Sequence, residues 1–152
     1  MSVNWVPEGY EGVTPYLICA NAEAAIDFYK KAYGAEEILR IGPPGMVAHA
    51  ELKIGTAIFM MSDENPDMGM LGPKSIGGSP VSMMIYVEDV DGFCDRAVDA
   101  GLEVIKPVAD QFYGDRTGFF RDPFGHLWSF ATHIEDVTPE ELNARASAMH
   151  GG

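Results

Sequence analysis

The chain has 152 residues, with ten Lys and Arg against 23 Asp and Glu and a formal net charge of −13. That length holds one sizeable core in a single domain, and the sparse, scattered cations exclude a surface for nucleic acid or anionic membrane. The acidity serves solubility, with attraction of a cationic ligand as the alternative.

Apolar runs stop short of a bilayer span, and residues 1–10 lack the basic and apolar zones of a secretory leader, so a cytoplasmic location is expected. Taken in chain order, the elements fall into two copies of one pattern. The first copy, residues 13–64, opens with a buried-strand pattern at 13–18. A helix follows over 22–33, capped by Asn21 and stopped at Gly34, with Ile26, Tyr29 and Tyr33 along one stripe. Three strands then close the copy at Gly55 to Phe59. Residues 65–80, rich in Pro and Gly and carrying Met68, Met70 and Leu71, read as a connector that is either a lid, a dimer contact or a plain linker. The second copy, 81–133, repeats the pattern: a strand at 81–86, a helix at 90–100 between Asp89 and Gly101, and a last strand Leu127-Trp128-Ser129-Phe130-Ala131 behind the turn Asp122-Pro123-Phe124-Gly125-His126. Thr14 overlies Ser82, and Gly55 overlies Gly125. A final helix over about 139–149 starts from a capping box, Thr138 with Pro139 and Glu141, and its end from Ala148 to Gly152 is expected to fray. Cys19 and Cys94 have no metal-type spacing and read as small buried hydrophobes.

One helix for four strands leaves one sheet face of each copy bare, so the copies are expected to cover one another, the strands curling into an open cup. This duplication, closed by Asp-Pro-Phe-Gly, resembles the vicinal-oxygen-chelate superfamily of glyoxalases, extradiol dioxygenases and bleomycin-resistance proteins over nearly the whole chain. The run Tyr113-Gly114-Asp115-Arg116 to Trp128, then Ala131-Thr132-His133, Glu135-Asp136-Val137 and Pro139-Glu140-Glu141, is similar to the PhnB-like branch. The resemblance implies an α+β fold of two βαβββ modules in an open, cup-shaped mixed sheet with a C-terminal helix, and a homodimer. It also implies one divalent metal held at four strand positions, one on the first and last strand of each module.

By the repeat alignment those four positions are Thr14, Phe59, Ser82 and Ser129, and a transition metal needs about three imidazole, carboxylate or thiolate donors. No metal and no other cofactor is therefore expected. Strand parity places Tyr16, Met84 and Tyr86 on the same face, which makes Thr14, Tyr16, Phe59, Ser82, Met84, Tyr86 and Ser129 the candidate ligand-binding set. Arg116 joins it as a clamp for an anionic group, or else forms with Asp115 an ion pair that fixes their turn. Trp128 and Phe130 face the helices as core. His49 and Glu51, two apart on a strand, share a face and are the candidate catalytic pair, as acid and base or as two donors of an unconventional divalent-metal site. Their plain alternative is a solvated strand face. His126, at the start of a strand, reads as solvated. No Gly-rich anion loop or basic cluster supports a phosphonate pocket. The expected function is metal-free binding of a small molecule, and the alternative is a metal-dependent lyase, isomerase or dioxygenase using His49 and Glu51.

Overall fold

The computed structural model describes residues 2–151, so Met1 and Gly152 lie outside it. The first module is β1 (Tyr16–Cys19), α1 (Ala22–Tyr33), β2 (Glu36–Ile41), β3 (His49–Ile54) and β4 (Ala57–Asp63). A 3-10 turn at Pro66–Met68 and the short α2 (Pro73–Ile76) lead to the second module. This comprises β5 (Ser82–Tyr86), α3 (Val90–Ala100), β6 (Glu103–Asp110), β7 (Asp115–Arg121) and β8 (Leu127–His133), and α4 (Pro139–His150) follows it. The strands form two open four-stranded mixed sheets, ordered β1-β4-β3-β2 and β5-β8-β7-β6, with β1 parallel to β4 and β5 parallel to β8.

Both long helices start and stop where their caps dictate. The Asn21 side chain accepts from the Ala24 N–H and Gly34 ends α1 in the left-handed region, while Asp89 accepts from the Gly92 N–H at the head of α3. Their apolar stripes face each other as well as their sheets. Tyr29 packs against Phe59 and Trp128 at ring separations of 5.7 and 5.5 Å, and Tyr33 lies 4.9 Å from both Trp128 and Phe130. Arg96 of α3 donates to the Lys31 carbonyl, which the end of α1 leaves open, and at 3.4 Å to that of Lys30, which also accepts from the Gly34 N–H.

Because both modules turn their large rings into this one shared core, their other sheet faces are left on the outside of the chain. Tyr16, Met84 and Tyr86 there are 44%, 45% and 59% exposed. The expectation that one copy covers the other's bare face is corrected accordingly. Helix packing on helix, with Trp128 and Phe130 as core, claims the inner faces instead.

The Asp-Pro-Phe-Gly-His turn is a hub between modules. The buried Asp122 carboxylate accepts from Tyr29 Oη at 2.5 Å, Trp128 Nε1 at 2.9 Å, the Phe124 N–H at 2.8 Å and the His126 N–H at 3.0 Å. Gly125 has φ +94°, and a Cβ there would sit 2.8 Å from Pro73 Cβ, so the turn is both left-handed and pressed on the connector. His126 is buried, not solvated: its Nε2 meets the Ile18 carbonyl at 2.8 Å, tying the second module to β1. The connector is likewise anchored, with Glu64 accepting from the Gly72 N–H at 2.8 Å and from Ser75 Oγ at 2.5 Å. Helix α4 buries none of its residues and lies outside the core, capped by Thr138 and held by Arg145 against Glu135, Glu141 and the Phe112 carbonyl. It ends at His150, one residue beyond the expected end near 149. Cys19 and Cys94 are buried free thiols, and burial pushes the Cys94 thiol up to about 12.

Candidate functional site

The cross-strand register lays one side chain from each strand into a row on each open face. In the second module the row is Met84, Ser129, Phe119 and Lys106. In the first it is Tyr16, Met60, Glu51 and Leu39. These rows correct the sequence alignment at one point. The β3–β4 hairpin closes from Ile54 to Ala57 over two residues, whereas the second module pairs Asp122 with His126 over three. Matching glycine to glycine therefore slips β4 by one residue, and a slip of one exchanges the two faces of a strand. Phe59 belongs to the core, 3% exposed and 5.7 Å from Trp128, and the open-face residues of β4 are Ile58 and Met60. With the register corrected, the four positions that the resemblance marks for metal carry Thr14, Met60, Ser82 and Ser129. One thioether and three hydroxyls do not make a divalent-metal donor set. Among the described residues, no group of three His, Cys, Asp or Glu side chains is arranged to hold a metal ion.

A groove of about 520 Å³ runs between the two sheets, lined by Val13, Thr14, Ile58, Ser82 and Met84 and roofed by Gly9 and Glu11 of the N-terminal segment. A second hollow of about 300 Å³ lies on the open face of the second module, over Met84, Lys106, Gln111, Tyr113, Phe119 and Ser129. Met84 borders both. The set Thr14, Ser82, Met84 and Ser129 thus lies along continuous accessible surface, while Phe59 reaches the groove only from its core side.

His49 and Glu51 do share the open face of β3, and they are joined there. His49 Nε2 lies 2.8 Å from Glu51 Oε2, and His49 Nδ1 lies 2.8 Å from Tyr16 Oη. A carboxylate can only accept, so Nε2 carries the proton toward Glu51 and Nδ1 is left to accept from the Tyr16 phenol. The second Glu51 oxygen takes the hydroxyl of Tyr10. That bond, followed by the one from His49, holds the Glu51 carboxyl below its usual range, and the same Tyr10–Glu51 bond pushes the Tyr10 phenol up to about 12. The result is a chain Tyr10, Glu51, His49, Tyr16 that ends in a half-exposed phenol. Tyr10 comes from the segment before the first copy, where sequence periodicity carried no signal.

On the other sheet, Tyr86 donates to Asp115 at 2.7 Å, and His133 bridges Asp115 and Asp136 at 2.7 and 2.8 Å. Both ring nitrogens face carboxylates, so both donate, and these two bonds raise the His133 pKa above the usual imidazole value. Asp115 does not pair with its neighbour Arg116. The Arg116 guanidinium turns to the helix side and holds Asp91 of α3 at 2.8 Å and Asp110 at 3.0 Å. The expected pair with Asp115 is thus replaced by pairs with Asp91 and Asp110, and the guanidinium is not placed at either open face.

The model of the Glyoxalase/Bleomycin resistance protein/Dioxygenase superfamily matches residues 12–130. The chain belongs to that superfamily. Over 156 aligned residues it is 38% identical to the uncharacterized Mycobacterium bovis protein Mb0911c, covering all of both chains. It is 38% identical to Rv0887c of Mycobacterium tuberculosis, covering all of this chain and 89% of that one. Among solved structures it is similar to TioX from Micromonospora sp. ML1, at a TM-score of 0.64 and 28% identity over 84% of this chain and all of that one. The fosfomycin resistance protein FosX from Listeria monocytogenes shares the fold, with a TM-score of 0.60 and 18% identity over 86% of this chain and 96% of that one.

Proposed function

We propose that this superfamily member binds a small molecule on its open sheet faces and does so without a resident metal. The observation that carries the reading is the groove lining, in which Thr14 and Ser82 are isolated hydroxyls among apolar side chains; the positions that the resemblance marks for a metal, read as Thr14, Met60, Ser82 and Ser129, offer no imidazole, carboxylate or thiolate. Such a lining suits an organic ligand and leaves a divalent cation without donors. We place the chain in the PhnB-like branch on the run from Tyr113 to Glu141, and the protein in the cytoplasm. Bare faces carrying Tyr16, Met84 and Tyr86 favour a homodimer in which a second copy supplies their cover. A monomer persisting in sedimentation at tens of micromolar would contradict the dimer.

The ligand-binding claim is tested with Ser82→Phe and Ser129→Leu, which place bulk in the groove and in the hollow. A ligand found by thermal-shift screening should lose affinity for at least one folded variant. Equal binding to both places the site elsewhere.

The Tyr16–His49–Glu51 chain supports a second reading, acid–base catalysis in which His49 takes the Tyr16 proton and Glu51 orients the ring. It would show as ligand turnover abolished by His49→Ala and Tyr16→Phe. The metal-dependent version has less support, because His49 and Glu51 are engaged with each other and, among the described residues, no third His, Cys, Asp or Glu side chain joins them in a metal-binding group.

A further inference from the structure

The hollow on the second module differs from the groove in one respect: it contains an unengaged cation. Five cations, Lys30, Arg40, Arg116, Arg121 and Arg145, are in ion pairs, and Arg96 caps the end of α1. The exposed Lys106 side chain, like those of Lys31, Lys53 and Lys74, has neither an ion-pair nor a hydrogen-bond partner among the described residues, and of these four it is the one that lines this hollow. Its position is built rather than incidental. The β6–β7 register shifts on both sides of it, between Val104 and Lys106 and between Lys106 and Ala109, leaving Lys106 alone in register with Phe119. Bulges of this kind re-aim a side chain and recur beside binding sites. The row Met84, Ser129, Phe119, Lys106 then runs from apolar to cationic across the four strands.

We propose that this hollow binds a small organic anion, such as a monocarboxylate on an aromatic or aliphatic body, with Lys106 as its counter-ion. This deepens the small-molecule reading above and rests on it. The carboxylate meets the Lys106 ammonium, and the hydroxyls of Ser129 and Tyr113, which also have no partner among the described residues, are the neighbouring donors. The body lies over Phe119 and Met84. At about 300 Å³ the space is at the small end of ligand pockets, which limits the body to one or two rings. The net charge of −13 does not prevent this. Exposed charges farther off than the Debye length, about 8 Å at physiological ionic strength, are largely screened, whereas Lys106 acts at contact. The acidic residues of β6 and β7 are already held, Glu103 by Arg121, Asp110 by Arg116, and Asp115 by Tyr86 with His133.

The test compares 2-naphthoate with its neutral amide, 2-naphthamide, by titration against the full chain, the Lys106→Met variant and the Ser129→Leu variant. Thermal unfolding first confirms that each is folded. The acid should bind about tenfold tighter than the amide, as a charge-assisted contact implies. Lys106→Met should erase that preference and leave amide binding in place, and Ser129→Leu should weaken both. Equal binding of acid and amide to the parent, or a preference that survives Lys106→Met, overturns the anion inference while leaving the small-molecule reading intact. Indifference of both compounds to Ser129→Leu removes the hollow as the site and overturns the anion inference, while the small-molecule reading then stands or falls with Ser82→Phe in the groove. Failure of the acid to bind the parent also overturns the anion inference.

Discussion

Replacing Asp122 by Ala removes the acceptor of four hydrogen bonds at once, from Tyr29 Oη, Trp128 Nε1 and the N–H groups of Phe124 and His126. Tyr29 and Trp128 are fully buried, so water cannot take over their two bonds, whereas the turn amides lie nearer solvent. Each stranded buried donor costs about 1–3 kcal/mol. Counting chiefly the two side chains, the variant should lose about 3–5 kcal/mol, a large part of the roughly 5–15 kcal/mol that separates folded from unfolded states. Asp122→Asn keeps the volume and one oxygen, and the Tyr29 hydroxyl can rotate to accept from the new amide, so its loss should be smaller, about 1–3 kcal/mol. Urea unfolding followed by circular dichroism and by Trp128 fluorescence measures both. The reasoning fails if Asp122→Ala unfolds within about 1 kcal/mol of the parent, or if the Asn variant is the less stable of the two.

The corrected register of β4 predicts that Phe59→Ala costs about 3–5 kcal/mol and Met60→Ala under about 1 kcal/mol, as a core ring and an open-face side chain should. Similar losses in the same unfolding assay would restore the original alignment. For His133, bonds to Asp115 and then Asp136 raise the folded pKa above 6.5. Its contribution to stability is therefore complete below 6.5 and is lost as pH rises through the raised value. A proton NMR titration should show the His133 ring titrating above 6.5, and Asp115→Asn should move it back down; a midpoint at or below 6.5 in the parent contradicts the bridge. Glu51 has the opposite sign. Its folded pKa is depressed by Tyr10 and then His49, so its contribution holds above 4.5 and fades as pH falls through the folded value, and Tyr10→Phe should shift that acid limb upward.

The duplication, the helix caps and the core role of Trp128 and Phe130 were legible because each rests on local chemistry: a cap side chain, a glycine stop, a period-two apolar strand. The face of Phe59 was not, since it depends on one extra residue in a turn, and glycines mark where turns lie without fixing their length. The partners of Arg116 and His133 were equally hidden. Asp91 lies on a helix and Asp136 follows the last strand, and only the folded chain brings them to those cations. Pairing His49 with Glu51 followed from strand parity, but Tyr10 lies outside the repeat, and the register of Lys106 depends on bulges at which only Pro107 hints.

The central claim, a superfamily fold that binds its ligand without the superfamily's metal, is tested most directly by elemental analysis of untagged protein after gel filtration. We predict far less than one equivalent of nickel, zinc, manganese or iron per chain, and a melting temperature that a chelator leaves unchanged. About one equivalent per chain, with melting lowered on chelation and restored by the metal, would contradict it.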